Sequence, residues 1–375
     1  MSKPRICLIE PCHSHTEVVV PTLDLLYEAY EIYLIAPRSL FELDLLRSTQ
    51  SLYRAVPIDW QQRHPRWRRF LRMPAKYFTM RQLVNQIAPC CVFFTSTYRE
   101  IDLLLIARYF KHVPKAQIIH NFQYFLRPGM HRLYEQFDLN LVISEEVHKY
   151  ILEHHPQYAS LDYFLPISFD CFFRLHPLRN PSGVPTGPIQ LGVFGAVDQG
   201  RRNYEGLFQS LRCWRRKSGA APFVVHIVGK LPKEYRRFIA RYELDELVRY
   251  YDHYVSFEEM FRVLRMVDIV LFLIDSTSSY RQTYNRYKIS GSSNLIKGFR
   301  KVCASSRDFP VESILRDKCF FYDGAQLEQL FEAIADGYIT REVVREKEAR
   351  YTGLDILSRE EQQSRLLSGL RRSIG

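Results

Sequence analysis

Short apolar runs alternate with helical patterns through the first half of the chain. Runs rich in Ile, Leu, Val and Phe predict strands at 5–10, 31–37, 90–95, 116–120 and 139–144. Apolar residues with helical spacing lie between them, most clearly at 99–110 and 145–154. Buried strands separated by helices are typical of a parallel, doubly wound sheet. This half therefore predicts a Rossmann-like α/β domain.

The second half repeats this alternation after an irregular stretch. Residues 170–188 contain four prolines, which exclude helix-interior and central-strand geometry, so we place an interdomain linker there. Strands are then predicted at 189–194, 223–228, 248–251, 269–274, 301–305 and 319–322, with helices at 204–216, 258–266 and 326–335. We expect two α/β domains, 1–180 and 187–352, facing across a cleft, followed by a terminal helix within 353–375.

The loop after the first predicted strand carries candidate acid and base groups. It contains His13, His15 and Glu17, and it follows the carboxyl end of its strand, where open α/β sheets bind ligands. Each of these side chains can act as a general base towards an acceptor. Glu17 also stands in the first turn of a predicted helix, where a carboxylate stabilises the helix dipole without any catalytic role.

The stretch 284–306 predicts an anion-binding helix start in the second domain. A polar, basic loop that includes Lys288 runs into the helix start, which consists of Ser290, Gly291, Ser292, Ser293 and Asn294. The unpaired N–H groups and the dipole of such a start attract an anion. The simpler alternative is a serine that only caps its own helix.

A second strand-to-helix turn of similar chemistry lies upstream. Gly195 follows the predicted strand 189–194, and Arg201 and Arg202 precede the helix at 204–216. Two such turns in one α/β unit predict a diphosphate held between them, with Arg202 and Lys288 as cations. Arg201 is a further candidate, although one of two adjacent basic residues often only faces solvent.

One segment departs from the alternation through its charge. Residues 61–81 contain seven Lys and Arg side chains interleaved with aromatic residues, and no acidic residue. This pattern favours contact with anionic lipid headgroups through Arg66, Trp67, Arg68, Arg69 and Arg72. The alternatives are an ordinary basic helix packed on the core by its aromatic residues, or a nucleic-acid patch.

Charge and cysteine content narrow the class of protein. The net charge of +11 favours a polyanionic partner, namely nucleic acid, an anionic membrane or a phosphorylated substrate. The 8 cysteines include no Cys-x-x-Cys pair, so we expect buried free thiols and no zinc site. There is no Asp-x-Asp motif in a plausible loop, so we expect no metal. No apolar run reaches membrane-spanning length, which predicts a cytoplasmic protein, soluble or peripheral at the inner membrane face.

These residues resemble the GT-B glycosyltransferases, nearest to the family-4 type of retaining, nucleotide-sugar enzymes. The likeness lies mostly within 190–324. Phe194-Gly195 followed by Arg202-Asn203 is similar to that family's opening strand, glycine turn and cation-Asn pair, in which the cation holds the donor diphosphate. In the first half, His120 is similar to a strand-end histidine that faces the donor sugar. A lone histidine is, however, as readily structural.

The chain departs from this family at its paired glutamates, which are separated by seven residues and precede a Gly-x-Pro-Val turn. Here Gly298-Phe299-Arg300-Lys301-Val302 replaces the turn, and no glutamate lies between residues 280 and 301. Asn294 falls near one glutamate position, and Arg286 or Tyr287 near the other. The contacts to ribose and sugar must therefore differ.

The resemblance implies a GT-B glycosyltransferase whose first domain binds the acceptor and whose second binds the donor. It would move a sugar from a nucleotide-diphosphate sugar to a lipid-linked or polysaccharide acceptor at the cytoplasmic membrane face, without metal and with retention. No cofactor is implied beyond the donor substrate. Two alternatives remain: a nucleotide-sugar epimerase or hydrolase of the same architecture, and a nucleic-acid-binding or inactive protein.

Overall fold

The chain folds into two compact units. The computed structural model describes residues 2–12, 15–59, 66–97, 100–175, 187–218 and 221–374, with the backbone alone for 66–72 and 175. Unit 1 comprises Met1–Pro177, Arg286–Ile289 and Asp355–Gly375, and unit 2 comprises Leu178–Asn285 and Ser290–Leu354. A short segment inserted in the second half of the sequence, 286–289, thus belongs to unit 1, as does the end of the chain.

Unit 1 is built on a seven-stranded parallel sheet. Its strands are β1 (Arg5–Ile9), β2 (Glu31–Pro37), β3 (Arg54–Ile58), β4 (Cys91–Phe94), β5 (Lys115–Ile119), β6 (Leu139–Val142) and β7 (Leu161–Tyr163). The helices between and after them are α1 (Thr16–Leu26), α2 (Asp44–Ser48), α3 (Arg66–Ile87), α4 (Glu100–Tyr109), α5 (Met130–Tyr134), α6 (Glu145–His154) and α7 (Asp170–Leu175). The strand order is β3-β2-β1-β4-β5-β6-β7. Chain order therefore reverses between β1 and β4, and ligands bind at the carboxyl edge of such a switch point.

Unit 2 repeats the design with six parallel strands. They are β8 (Ile189–Phe194), β9 (Phe223–Lys230), β10 (Val248–Tyr251), β11 (Ile269–Leu271), β12 (Val302–Ser306) and β13 (Cys319–Tyr322). Its helices are α8 (Tyr204–Lys217), α9 (Lys233–Arg241), α10 (Phe257–Met266), α11 (Gly291–Phe299), α12 (Ser313–Arg316), α13 (Glu328–Ala335) and α14 (Arg341–Ala349). The order β10-β9-β8-β11-β12-β13 places the switch point between β8 and β11.

The apolar strands explain why both sheets are buried. Every residue of β5 and of β12 is buried, as expected for parallel strands covered by helices on both faces. In unit 2, Phe223 of β9 stacks on Phe331 of α13 with ring centroids 4.3 Å apart. Trp214 of α8 packs on the Phe223 ring at 5.6 Å. These aromatic contacts fix the helices that flank the sheet.

The last helix, α15 (Arg359–Ile374), is tied to unit 1 by buried polar contacts. Arg359 Nε donates to Asp24 Oδ2 at 2.9 Å, and the Asp24 side chain is completely buried. Gln362 Oε1 accepts a hydrogen bond from Leu165 N at 2.6 Å. Because Leu370 on the same helix is also fully buried, α15 contributes to the core of unit 1.

Most predicted elements are present, and the errors have physical causes. The strand predicted at 269–274 ends at Leu271, since Leu273 adopts a φ of 52°, outside strand geometry. Residues 170–175 form α7 and so belong to no linker, while 176–186 lie outside the described residues. β3 was not predicted because its exposed edge position leaves it with Arg54 and Pro57 and without an apolar run.

Candidate functional site

In unit 2, the turn that follows β8 is shaped by two glycines. Gly195 has a φ of 105°, which side chains rarely tolerate, and its N–H donates to Val228 O at 3.0 Å. A Cβ added at Gly229 would lie 2.2 Å from Gly195 O. The backbone after β8 and the end of β9 can therefore approach this closely only if residue 229 is glycine.

Arg202 lies in this turn with its guanidinium almost buried. The residue is 9% exposed. Arg202 Nη1 donates to Ala196 O and Nη2 to Ser292 Oγ, both at 3.1 Å. The guanidinium also lies against Gly195, where a Cβ on that glycine would be 3.5 Å from Arg202 Nη1. Arg202 Nε has no hydrogen-bond partner among the described residues. The structure therefore brings the turn after β8 and the first turn of α11 together through one cation.

The start of α11 contains buried polar groups. Ser290 is the N-cap residue, but its side chain makes no capping hydrogen bond. Ser292, Ser293 and Asn294 are all buried, and Asn294 Oδ1 has no partner within the described part of the chain. Since Ser292 Oγ accepts from a guanidinium, its own proton can still be donated to an anion. The N–H groups, hydroxyls and dipole at this end thus form a polar site.

A buried ion pair that the sequence analysis did not identify anchors the far side of α11. Lys297 Nζ lies 3.0 Å from Glu312 Oε2, and their side chains are 1% and 3% exposed. A lysine in the last turn of a nine-residue helix gives no sequence signal of such burial. The pair fixes the rotation of α11 and therefore the direction of its first turn.

Asp275 is another residue that sequence reasoning missed. Its carboxylate accepts from Asn203 Nδ2 at 2.6 Å, while Asn203 Oδ1 caps α8 by accepting from Gly206 N at 2.7 Å. Asp275 is 2% exposed and follows the apolar run of β11. An acidic residue directly after the apolar run 269–274 was the available signal.

Arg201 and Lys288, the other two basic residues predicted to bind the diphosphate, have different surroundings. Arg201 is exposed and pairs with Asp198 Oδ2 at 3.2 Å. Lys288 is half-buried and belongs, with the rest of 286–289, to unit 1. In that segment Tyr287 O accepts from Phe122 N at 2.7 Å. Donor binding by both cations stays a prediction.

In unit 1, His120 stands at the carboxyl end of β5. Its Nε2 lies 2.8 Å from Thr95 O. A carbonyl oxygen only accepts, so Nε2 carries a proton. Burial and the neighbouring imidazole of His15 lower the pKa of His120 to about 3. The ring is therefore neutral at physiological pH, with the lone pair on Nδ1.

His15 and Glu17 join His120 at this edge. The His15 and His120 rings are 4.2 Å apart, and His15 Nδ1 lies 3.1 Å from Glu17 Oε1. Burial opposes the charged form of His15, but the hydrogen bond and charge of Glu17 raise its pKa overall. The same pair lowers the pKa of Glu17 against the effect of burial. His13 lies outside the described residues.

Glu10 completes this cluster, and the sequence analysis gave it no role. It follows β1, is fully buried, and accepts from Cys12 N at 2.7 Å. Ser96 Oγ donates to the same oxygen at 2.6 Å, and Thr95 Oγ1 lies 2.7 Å from the other. Burial raises the pKa of Glu10 to about 7, although these hydrogen bonds oppose the shift.

Residues 66–81 of the basic segment belong to α3, while residues 61–65 lie outside the described residues. Backbone helix runs through Arg66, Trp67, Arg68, Arg69 and Arg72, whose side chains lie outside the description. Further along α3, Lys76 Nζ donates to Pro11 O at 2.7 Å. Membrane contact by this segment stays a prediction.

The described residues contain neither a metal-ligand cluster nor a helix of membrane-spanning character. No group of three His, Cys, Asp or Glu side chains in those ranges is placed to hold a metal ion. None of the helices described is long and apolar enough to span a membrane.

Comparisons with known proteins show the fold. No family model and no curated protein matches the chain. Among solved structures, a glycosyltransferase from Rickettsia africae has a TM-score of 0.62 at 10% identity, covering 99% of each chain. HepE from Anabaena, solved with UDP and glucose, has a TM-score of 0.64 at 10% identity, covering 98% of this chain and 99% of its own.

A UDP-GlcNAc 2-epimerase from Neisseria meningitidis, solved with UDP-GlcNAc, is similar to the same degree. Its TM-score is 0.62 at 10% identity, covering 98% of this chain and 100% of that one. At such identities the neighbours show the fold alone. The predicted GT-B-type α/β fold with two Rossmann-like units is therefore confirmed, whereas the family-4 assignment stays a prediction.

Proposed function

We propose that this protein is a glycosyltransferase that moves a sugar from a nucleotide-diphosphate sugar to a lipid-linked or polysaccharide acceptor. The observation that carries the proposal is Arg202, a nearly buried guanidinium held between Ala196 O and Ser292 Oγ with Nε unpartnered. A buried cation without a carboxylate partner is costly unless an anion joins it. The diphosphate of the donor is such an anion.

The start of α11 supports the same ligand. In this proposal the N–H groups of Gly291 and Ser292 and the Ser292 and Ser293 hydroxyls bind phosphate oxygens, as helix N-termini do. Asn294 Oδ1, buried and unpartnered, accepts from a donor group of the same ligand, such as a ribose hydroxyl. Lys288 and Arg201 are further candidates for the phosphates.

Chemistry at the sugar needs a leaving group whose negative charge is stabilised, because the transition state resembles an oxocarbenium ion. Arg202 and the α11 start perform that role on the nucleoside diphosphate. With retention, the leaving phosphate accepts the acceptor's proton and no protein base is needed. With inversion, a base is needed, and Glu17, His13 or His15 supplies it.

The first experiment is a thermal-shift panel of nucleoside diphosphates and nucleotide sugars. A ligand that binds only the folded state raises the melting temperature by mass action. We expect one nucleotide family to stabilise the protein and Arg202→Ala to abolish that shift, since a charge-assisted contact of about 1.5–3 kcal/mol is lost. Lys288→Ala tests the second cation in the same way.

Arg216→Ala is the matched control, because it removes an exposed arginine from the last turn of α8. It should leave the ligand shift unchanged. If no nucleotide stabilises the unsubstituted protein, the donor proposal is wrong, and tight salt-dependent binding to RNA or DNA would favour the nucleic-acid alternative.

Action at the cytoplasmic membrane face rests on the charge of α3. The triple variant Arg68→Glu, Arg69→Glu, Arg72→Glu should lose binding to vesicles that contain anionic lipid, since each basic residue near such a surface contributes about 1 kcal/mol. The control reverses three exposed arginines of unit 2, Arg216, Arg237 and Arg241. Unchanged binding by the α3 variant would refute the membrane contact.

An epimerase is the second candidate, and the acid and base cluster around His15 favours it. An epimerase interconverts nucleotide sugars without an acceptor. Incubating the identified nucleotide sugar with the protein alone therefore separates the two functions: a new nucleotide-sugar epimer indicates epimerisation, and product only after adding an acceptor indicates transfer.

A further inference from the structure

Glu10 has an unusual environment for a buried carboxyl. Its side chain is fully buried, yet its partners are all neutral: Cys12 N, Ser96 Oγ and Thr95 Oγ1. Among the described residues no cation forms an ion pair with it. A buried carboxylate whose hydrogen-bond partners are all neutral is stabilised less than one in an ion pair, so its neutral form becomes accessible.

The Thr95 hydroxyl can form a hydrogen bond with either protonation state of the Glu10 carboxyl. Thr95 Oγ1 lies 2.7 Å from Glu10 Oε2 and 3.2 Å from Ile9 O. A hydroxyl has one proton to donate. It can donate to ionised Glu10, or turn to Ile9 O and accept the proton of neutral Glu10. Both protonation states therefore fit without movement of heavy atoms.

The same contacts lead to the two histidines of the cluster. His120 Nε2 donates to Thr95 O at 2.8 Å. Thr95 therefore forms a hydrogen bond with Glu10 through its side chain and orients His120 through its backbone carbonyl. The other oxygen of Glu10 accepts from Cys12 N at 2.7 Å, and Cys12 precedes His15 by three residues in the chain. The negative charge of Glu10 also favours the protonated form of His15.

We propose that Glu10 is a positioning residue that holds the segments bearing His120 and His15 and whose negative charge adds to that of Glu17 in favouring the protonated form of His15. Its relevance to catalysis rests on the proposed function. Burial raises the pKa of Glu10 to about 7, which places the gain or loss of this charge within the physiological range. In this way Glu10 acts on the acid and base groups without touching a substrate.

Other charged groups near this cluster come from three elements. Glu17 of α1 bonds to His15, while Lys76 of α3 and Asp102 of α4 act on the neighbouring thiol of Cys12. Lys76 is held by Pro11 O and Asp102 by a buried tyrosine hydroxyl of α3. The variants below leave all of these groups in place.

The test measures the pKa of His15 by NMR of its imidazole Cε1 signal in three proteins. They are the unsubstituted chain, Glu10→Gln and the control Glu31→Gln, which removes one negative charge at the amino end of β2. Glutamine keeps the shape of Glu10 but not its charge. We expect Glu10→Gln to lower the pKa of His15 by roughly 0.5–1 unit. Glu31→Gln should change it by less than about 0.2 unit.

A His15 pKa in Glu10→Gln equal to that of the control would overturn the proposal. If Glu10→Gln does not fold, the unsubstituted protein decides: a glutamate carboxyl carbon should titrate near pH 7 together with a step in the His15 signal. Absence of any glutamate titrating above about pH 6 would also overturn it. These measurements need no substrate, so they test the role of Glu10 independently of whether the protein transfers a sugar.

Where transfer is measurable, Glu10→Gln should shift the pH profile of kcat. The KM for the nucleotide sugar should stay within about twofold, because Arg202 and the start of α11, on which the proposed donor binding rests, lie in unit 2 and Glu10 lies in unit 1. A change in KM alone would instead indicate a purely structural role.

Discussion

At the carboxyl edge of the sheet in unit 1, the groups beside the switch point are Glu10, His15, Glu17 and His120, and each has a shifted pKa. At the corresponding edge in unit 2, Arg202, serine hydroxyls and the first turn of α11 take their place. A guanidinium and backbone amides keep their charge and polarity across the physiological pH range. We therefore propose that the same kind of parallel sheet supports proton chemistry in unit 1 and permanent anion binding in unit 2, because different residues stand at the strand ends beside the two switch points.

The largest expected effect is on the buried ion pair behind α11. Lys297→Met leaves Glu312 buried without its cation, and this should lower the free energy of unfolding of unit 2 by about 3–5 kcal/mol. Adding Glu312→Leu should recover most of the loss, since an apolar pair of similar size needs no desolvated charges. Urea unfolding of the single and double variants measures both. A double variant no more stable than the single one would contradict the buried-charge explanation.

A second prediction concerns the pH dependence of unit 1. The folded-state pKa of Glu10, about 7, lies above its ordinary value of 4.5, so the folded state binds a proton that the unfolded state releases. The stability that neutral Glu10 contributes is therefore fully present below about pH 4.5. It is lost as the pH rises through about 7, which lowers the free energy of unfolding by up to about 3 kcal/mol.

Unfolding of Glu10→Gln and of the unsubstituted protein at pH 5 and pH 8 measures this loss, because glutamine cannot ionise. The pKa of His120 is lowered, so the stability that His120 contributes is fully present above pH 6.5 and is lost as the pH falls. Both proteins contain His120, so this contribution cancels when their free energies of unfolding are compared. A difference that does not vary with pH would show that Glu10 has an ordinary pKa.

A third prediction tests the glycine turn of unit 2. Gly229→Ala should destabilise the protein by about 1–3 kcal/mol and weaken nucleotide binding, since its Cβ would displace the Gly195 carbonyl. Gly291→Ala is the matched control for stability alone: no atom lies within 4 Å of the Cβ position, and the φ of Gly291 is not positive. Equal effects of the two substitutions, measured by thermal unfolding, would show that the close approach is not required.

The smallest expected effect sharpens the contrast between the two edges. Affinity for the nucleotide sugar should vary by less than about twofold between pH 6 and 9, because the proposed donor contacts are a guanidinium, backbone N–H groups and hydroxyls, which are chemical groups that do not titrate in this range. Isothermal titration calorimetry at several pH values measures it. A marked pH dependence would mean that a titrating group takes part in donor binding.

Local sequence patterns were enough for most elements and for the candidate donor groups. Apolar runs identified both sheets, and the turn at Gly195 and Arg202 and the helix start at Ser290 were visible as glycine, basic and hydroxyl residues. Such signals are short in range, since strand burial, turn geometry and helix starts depend on neighbouring residues. β3 and α7 were missed where edge exposure or nearby prolines hid the pattern.

The sequence by itself determined two α/β units, each with a parallel sheet, and the residue types at the carboxyl edges of those sheets. Only the tertiary structure decided which of those residues act together. Arg202 meets Ser292, which is 90 residues away in the chain, and Glu10 meets Thr95 and Ser96 across the junction of β1 and β4. It also determined that Glu10 and Lys297 are buried, and burial sets their protonation or pairing. Spacing along a chain carries no information about such contacts, because they arise from strand order and from packing against residues distant in sequence.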